Sequence, residues 1–318
     1  MDTIFALATP FGRSGVAVIR ISGRNAIDSL SHFGITPLPA PRKAVYHHFQ
    51  LLNHSTIQPP EHLDSGLVIF FPAPHSFTGE DCIEFQIHGS IAVIKKFLSE
   101  LSSLPHFRMA EAGEFARRAF QNQKFDLTSA EGLADLIDAE TEMQRRQASL
   151  LALGHAAKIY GQLRAEMIHS LAFLEAYIDF PEEDIPDAVY IQVATEVARV
   201  KQTIFTLLED SRGAQKIREG FNVVILGAPN AGKSTLLNAL AKRDVAIVSD
   251  RAGTTRDLIE VSLDLHGLPV TLIDTAGLRE TSDDIESEGI QRALNKAENA
   301  DLKLVLFDSA IALDEASF

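Results

Sequence analysis

Cysteine is almost absent: Cys82 is the one example in 318 residues. That excludes an internal disulfide and a metal cluster built on cysteines. Long apolar runs are missing too. Stretches such as Leu67 to Phe71 and Val223 to Leu226 fall far below the ~18 residues that a membrane-spanning helix needs, so no bilayer span is expected. The N-terminus reads Met1-Asp2-Thr3 and breaks at Pro10 and Arg13, which is not the basic start and unbroken apolar core of a signal peptide. The expected location is the cytoplasm. Positive charge is in deficit, with 29 Lys plus Arg against 43 Asp plus Glu and a net charge of −14, which argues against strong non-specific binding of nucleic acid. The local basic candidates, Arg108, Arg117, Arg118 and Lys124, then Arg145 and Arg146, read as a solvated face. What is present is a 46% hydrophobic and 23% charged chain, ordinary for a packed protein and long enough for two or three domains.

Residues 1 to about 120 mix strand-like runs (Val16 to Ile21, Leu67 to Phe71, Ile83 to Ile87) with Pro and Gly turns, the pattern of a small α+β domain. From Thr128 the spacing becomes helical. Thr128-Ser129-Ala130-Glu131 fits a capping box, and apolar residues from Leu133 to Ile178 predict one long helix or two in series, up to Pro181. A second helical stretch is expected over roughly Val189 to Leu208. Two such helices bury little surface alone, so they are expected to need further helices from elsewhere in the chain or from a second chain. From Phe221 the pattern is α/β, with strands at Asn222 to Leu226, Ile259 to Leu265, Val270 to Ile273 and Leu302 to Phe307, and a helix from Thr235 to Ala241.

Gly227-Ala228-Pro229-Asn230-Ala231-Gly232-Lys233-Ser234 matches G-x-x-x-x-G-K-[ST] between a predicted strand and helix. Backbone amides there hold phosphates, Lys233 reaches the outer ones, and Ser234 ligates Mg²⁺. Gly253-Thr254-Thr255-Arg256-Asp257 and Asp274-Thr275-Ala276-Gly277 follow in the order of the switches of a GTPase. Leu278 stands where a Ras-like enzyme has its water-orienting glutamine. Catalysis must be arranged differently, and Glu280, Asp283, Asp284, Glu286 and Glu288 are the acidic residues that follow.

These three boxes, with Leu278-Arg279-Glu280 after the last, resemble the G domain of the MnmE (TrmE) family of tRNA-modification GTPases. Thr3-Ile4, Ala8-Thr9-Pro10, Gly12 to Gly23, Ser76-Phe77-Thr78-Gly79-Glu80-Asp81 and Ala112 to Phe120 resemble that family's folate-binding domain. The resemblance implies an α+β folate-binding and dimerisation domain over 1–121, the first half of an all-α helical domain over 122–218, and an incomplete α/β P-loop G domain over 219–318. It implies a homodimer that joins the FAD protein MnmG in a heterotetramer and adds an aminomethyl or carboxymethylaminomethyl group at C5 of the wobble uridine of tRNA. The one-carbon donor is 5-formyltetrahydrofolate or another tetrahydrofolate derivative.

Carried over by position, Arg20, Glu80 and Lys124 hold the folate. The nucleotide is bound by Asn230, Ala231, Gly232, Lys233, Ser234, Thr235, Ser249, Asp250, Arg251, Ala252, Gly253, Thr254, Thr255, Asp274, Thr275, Ala276 and Gly277. Ser234 and Thr255 ligate Mg²⁺; Asn230, Ser249, Arg251 and Thr254 surround K⁺; Glu286 is the catalytic, water-positioning residue. A guanine-reading NKxD box is missing, since Asn295-Lys296-Ala297-Glu298 precedes the strand it should follow and ends in Glu; it reads as a helix surface. The family's C-terminal helices and cysteine motif are missing as well, so the chain reads as the N-terminal portion of a longer protein, weak or inactive as a GTPase by itself. Two other functions share parts of the pattern: a folate-binding dimer module with an inert G domain, and a ribosome-assembly GTPase.

Overall fold

Alternating apolar residues build the first sheet. The computed structural model describes residues 2–51, 61–179, 187–227, 231–241, 259–274 and 298–307, which fall into two compact units divided between Ala130 and Glu131. In the first unit, β1 (Thr3–Leu7), β2 (Ser14–Ser22), β3 (Val45–Leu51), β4 (Glu61–Phe71), β5 (Cys82–Gly89) and β6 (Phe107–Met109) form one sheet in the order β3-β4-β5-β2-β1-β6. Its pairs are antiparallel except β1 with β6. Ala17, Ile19 and Ile21 of β2 and Ile83, Phe85 and Ile87 of β5 are buried on one face. They pack with Leu30 of α1 (Asp28–His32) and with Ile94, Phe97 and Leu101 of α2 (Ile91–Ser103), which recur at three, four and seven positions to make one helix face. Phe97 is the hub, its ring stacked 4.2 Å from Phe33 and within 5.4 and 5.5 Å of Phe49 and Phe85.

The other face of this sheet is half-polar, and one basic residue near it departs from the reading of a solvated face. Arg118, on α3 (Glu114–Gln121), is buried. It bonds Glu80 at 3.0 Å, Glu114 at 3.1 Å and the Asp2 carbonyl at 2.9 Å. Arg108 closes on Glu114 from the other side with two bonds of 2.6 and 2.8 Å, and Arg117 pairs with Glu111. Arg145 and Arg146 share Glu142. A buried charge is costly unless paired, so Arg118 is ringed by acceptors, while Arg117, Lys124, Arg145 and Arg146 stay exposed as a solvated face has it.

The second unit holds α5 (Glu142–Ala152), α6 (His155–Asp179) and α7 (Asp187–Glu219), preceded by α4 (Leu127–Asp138), which begins in the first unit. The expected single or double helix up to Pro181 is thus three helices. The capping box is not at Thr128: Asp126 caps α4, accepting from the Ser129 amide and from the hydroxyls of Thr128 and Ser129. One carboxylate satisfies three donors there, which a threonine hydroxyl does not. A true capping box lies at Thr141 and Gln144, opening α5. Gly154, at φ 79, allows the left-handed turn that separates α5 from α6. α7 extends eleven residues past the expected end at Leu208. Buried Val193 and Val200 mark one stripe of α7, while Leu171, Tyr177, Ile178, Phe205 and Leu208 remain exposed on α6 and α7, in keeping with the expected need for partners.

The chain then enters a four-stranded sheet, β10-β7-β9-β8, from β7 (Phe221–Gly227), β8 (Ile259–Leu265), β9 (Leu268–Asp274) and β10 (Leu302–Leu306), with α8 (Lys233–Ala241) following β7. β7 pairs parallel with β9 and β10, and β8 is the antiparallel edge. This is the expected α/β half of a P-loop domain.

Two outcomes follow. Phe97→Ala removes the hub of the aromatic cluster and is expected to cost ~3–5 kcal/mol of stability, measured by urea unfolding. Acid acts through Glu114, whose carboxyl is held down at about 2 by its hydrogen bonds to Arg108, the Glu111 amide and Arg118. A lowered carboxyl stabilises the fold above its ordinary value near 4.5, so this stability, on the order of 3 kcal/mol, is lost as pH falls from there towards 2. Glu114→Gln flattens that part of the urea-midpoint profile. An unchanged profile would show that the network is not formed.

Candidate functional site

Two sites carry the expected chemistry. In the second unit, β7 ends at Gly227 and α8 begins at Lys233, so the phosphate-binding motif runs from a strand end to a helix start. Gly227, at φ 147, lies so close to the Leu306 carbonyl of β10 that a Cβ there collides with it, which makes glycine obligatory. Lys233 is buried and its Nζ donates to the Gly227 carbonyl at 2.7 Å, which brings the ammonium to the mouth of the loop. Gly232, with a positive φ of 91, has open space on its Cβ side. A buried cation at a helix start is the chemistry that takes phosphate.

Ala231, Gly232, Lys233 and Thr235 are placed directly on this loop and helix, with Thr235 exposed. Ser234 follows Lys233 in α8, and Asp274 ends β9 next to β7, both by backbone. Asn230, Ser249, Asp250, Arg251, Ala252, Gly253, Thr254, Thr255, Thr275, Ala276, Gly277 and Glu286 lie outside the described residues, as do Glu280, Asp283, Asp284 and Glu288. Asn295, Lys296 and Ala297 are also outside them, and Glu298 is an exposed helical residue.

In the first unit, the three residues carried over for folate gather about the loop 72–81. The loop is bound on every side. Asp81 accepts from the Ala73 amide at 2.8 Å, Asn122 donates to the Thr78 carbonyl at 2.7 Å, and buried Thr78 meets Ser22 of β2 at 2.6 Å. Lys124 donates to the Pro74 carbonyl at 2.7 Å. Arg20 projects from β2 over the Phe77 ring of this loop, 5.1 Å from its centroid, and lies 5.9 Å from that of Phe115 on α3. Phe77 in turn meets Phe125, next to Lys124, at 5.8 Å.

The acidic member is engaged within the protein. Glu80 turns inward, accepting from the Ser22 hydroxyl at 2.7 Å and pairing with Arg118. The carboxylate beside Arg20 belongs to Glu84, directly across the β2–β5 pairing, at 2.8 Å. Sequence reasoning passed over Glu84. The available signal was alternation: Ile83, Phe85 and Ile87 are apolar, so Glu84 and Gln86 occupy the opposite face of β5, which is Arg20's face once the strands are in register. Arg20 and Glu84 are half-buried between two aromatic rings, an arrangement of opposed charges and flat apolar faces that suits a planar heterocycle with amide-like edges.

Comparison with known proteins covers both units. The profile described as GTP-binding protein TrmE N-terminus matches residues 3–124, and the profile described as 50S ribosome-binding GTPase matches residues 222–317. The tRNA modification GTPase MnmE of Parvibaculum lavamentivorans is 50% identical over 308 residues, 96% of this chain and 69% of that protein. Its counterpart in Brucella ovis is 52% identical over 311 residues, covering 96% and 68%, and that of Wolbachia pipientis is 51% identical over 307 residues, with the same coverage. This similarity extends across the N-terminal domain, which a GTPase of ribosome assembly has no reason to share. The chain belongs to the MnmE family of tRNA-modification GTPases.

Proposed function

We propose that this protein hydrolyses GTP to drive the modification of tRNA, as a homodimer joined to the FAD protein MnmG in a heterotetramer. The product is an aminomethyl or carboxymethylaminomethyl group at C5 of the wobble uridine, with a tetrahydrofolate derivative as the one-carbon donor, and the cytoplasm is the compartment where such tRNA is modified. The observation that carries this reading is buried Lys233 folded onto the Gly227 carbonyl at the end of β7, in a chain half identical to tRNA modification GTPases over nearly all its length. The division of labour follows the three segments 1–121, 122–218 and 219–318.

In the nucleotide site, Lys233 neutralises the outer phosphates, and Ser234 and Thr255 hold Mg²⁺. Asn230, Ser249, Arg251 and Thr254 hold K⁺, which supplies the charge compensation that an arginine supplies in other GTPases. Glu286 positions the attacking water in place of the glutamine that Leu278 replaces. In the first unit, the Arg20–Glu84 pair between Phe77 and Phe115 supports a pterin ring: the carboxylate accepts from the ring's amino and NH groups, the guanidinium donates to its carbonyl, and Lys124 attracts the acidic tail. Glu80 holds the loop that carries Phe77. The exposed apolar residues of α6 and α7 support assembly with further helices.

Turnover and calorimetry test both halves. In a chain extended over the remaining length of its relatives, GTP hydrolysis is expected to be faster in K⁺ than in Na⁺, with the difference abolished by Asn230→Ala. Glu286→Ala is expected to slow hydrolysis by ~10² to 10⁴ with nucleotide affinity little changed. Equal rates in the two salts withdraw the ion assignment, and no GTP turnover at all leaves the folate-binding module as the function.

For the second half, titration with 5-formyltetrahydrofolate is expected to lose about ten- to a hundredfold in affinity with Arg20→Ala and with Glu84→Gln. Glu80→Gln is expected to lower the urea midpoint, which Glu84→Gln does not. Unchanged affinity in both the Arg20 and Glu84 variants refutes the placement of the folate.

A further inference from the structure

The edge of the first sheet carries a histidine pair that neither proposed site uses. His48 of β3 and His62 of β4 both reach the hydroxyl of Ser65: His48 Nδ1 lies 2.7 Å and His62 Nε2 lies 3.0 Å from the same Oγ. The ring centroids are 5.9 Å apart, and Tyr46 closes one side of His48 with an edge-to-face contact at 5.3 Å.

A β-bulge creates this convergence. In a regular strand, residues 62 and 65 are three apart and point to opposite faces. Here His48 pairs with Ser65 and Phe49 with Asp64, but Gln50 pairs with His62, so Leu63 is the extra residue. The bulge turns Leu63 in against the core and re-aims His62 onto the face of Ser65 and His48. β3 is an edge strand, so the pair stands open to solvent.

One hydroxyl has one hydrogen, so Ser65 donates to at most one of the two rings. Each imidazole is free to present a lone pair through its other tautomer. The two nitrogens converge on Ser65 Oγ, and once that hydroxyl turns aside about its χ1 they form half of a coordination shell for a borderline cation, which needs nitrogens at about 2.0–2.1 Å. Among the described residues no group of three or more His, Cys, Asp or Glu gathers to hold a metal, so the two imidazoles are the donor set.

We propose that the bulged β3–β4 edge binds a divalent transition metal of the zinc, nickel and copper class through His48 Nδ1 and His62 Nε2. Copper is the most tightly held of these, in line with the general order of affinities for nitrogen sites. The site joins the two strands at the sheet's open edge, so occupancy stabilises the first unit by linkage.

The test is titration of the full chain with Cu(II), read by electron paramagnetic resonance and by urea unfolding with and without the metal. The wild type is expected to bind one Cu(II) with the hyperfine pattern of two imidazole nitrogens and to unfold at higher urea when loaded. His48→Gln and His62→Gln are each expected to lower the affinity on the order of tenfold or more and to leave one imidazole nitrogen, since the two-point attachment is lost. His47, on the opposite face of the same strand with its Nδ1 on the His48 carbonyl, is the control. His47→Gln is expected to leave spectrum and affinity as they are. The proposal is overturned if His48→Gln and His62→Gln bind as the wild type does, or if His47→Gln weakens binding as much as they do.

Discussion

The first unit depends on one buried guanidinium. Arg118 has lost most of its water, and its charge is tolerable only because Glu114, Glu80 and the Asp2 carbonyl surround it. Those partners come from α3, from the loop 72–81 and from the start of the chain ahead of β1. Meeting the charge therefore draws three distant segments to one point. The loop so anchored carries Phe77, and Phe77 is what Arg20 lies over. A charge with no part in chemistry thus sets the shape of the surface offered to a ligand.

The nucleotide site is organised by a steric rather than an electrostatic limit. β7 must run close enough to β10 for parallel pairing, and at Gly227 the Leu306 carbonyl leaves no room for a side chain. The chain can then leave the strand at a φ that other residues avoid and return as α8, which swings Lys233 back over the Gly227 carbonyl. Glycine and lysine in this motif are thus two parts of one device: the first permits the turn and the second uses it to concentrate positive charge where phosphates collect.

Both units put their chemistry on short segments held by regular structure, and both apparent charge patches are largely ion-paired at the surface, with Arg118 alone buried. The six basic residues that stand out along the chain are mostly engaged by Glu80, Glu111, Glu114 and Glu142. Net charge alone could not tell this, because pairing depends on which residues a fold brings within about 4 Å, and these partners are separated by three to 38 positions.

By itself the sequence determined what depends on local pattern. The strand-like runs of β2 and β5, the phosphate-binding motif between β7 and α8 and the family boxes were all legible, because each is a relation among residues a few positions apart. Helix ends were less so: the pattern pointed to Thr128, and three donors converging on the Asp126 carboxylate place the cap two residues earlier. Only the tertiary structure placed Glu84 beside Arg20, since strand register sets which side chains face each other across 64 residues of chain. It alone brought His48 and His62 together, because one bulged residue inverts the face of everything beyond it. Pattern fixes the period of an element, but register and bulges are set by packing between elements, and packing has no local signature.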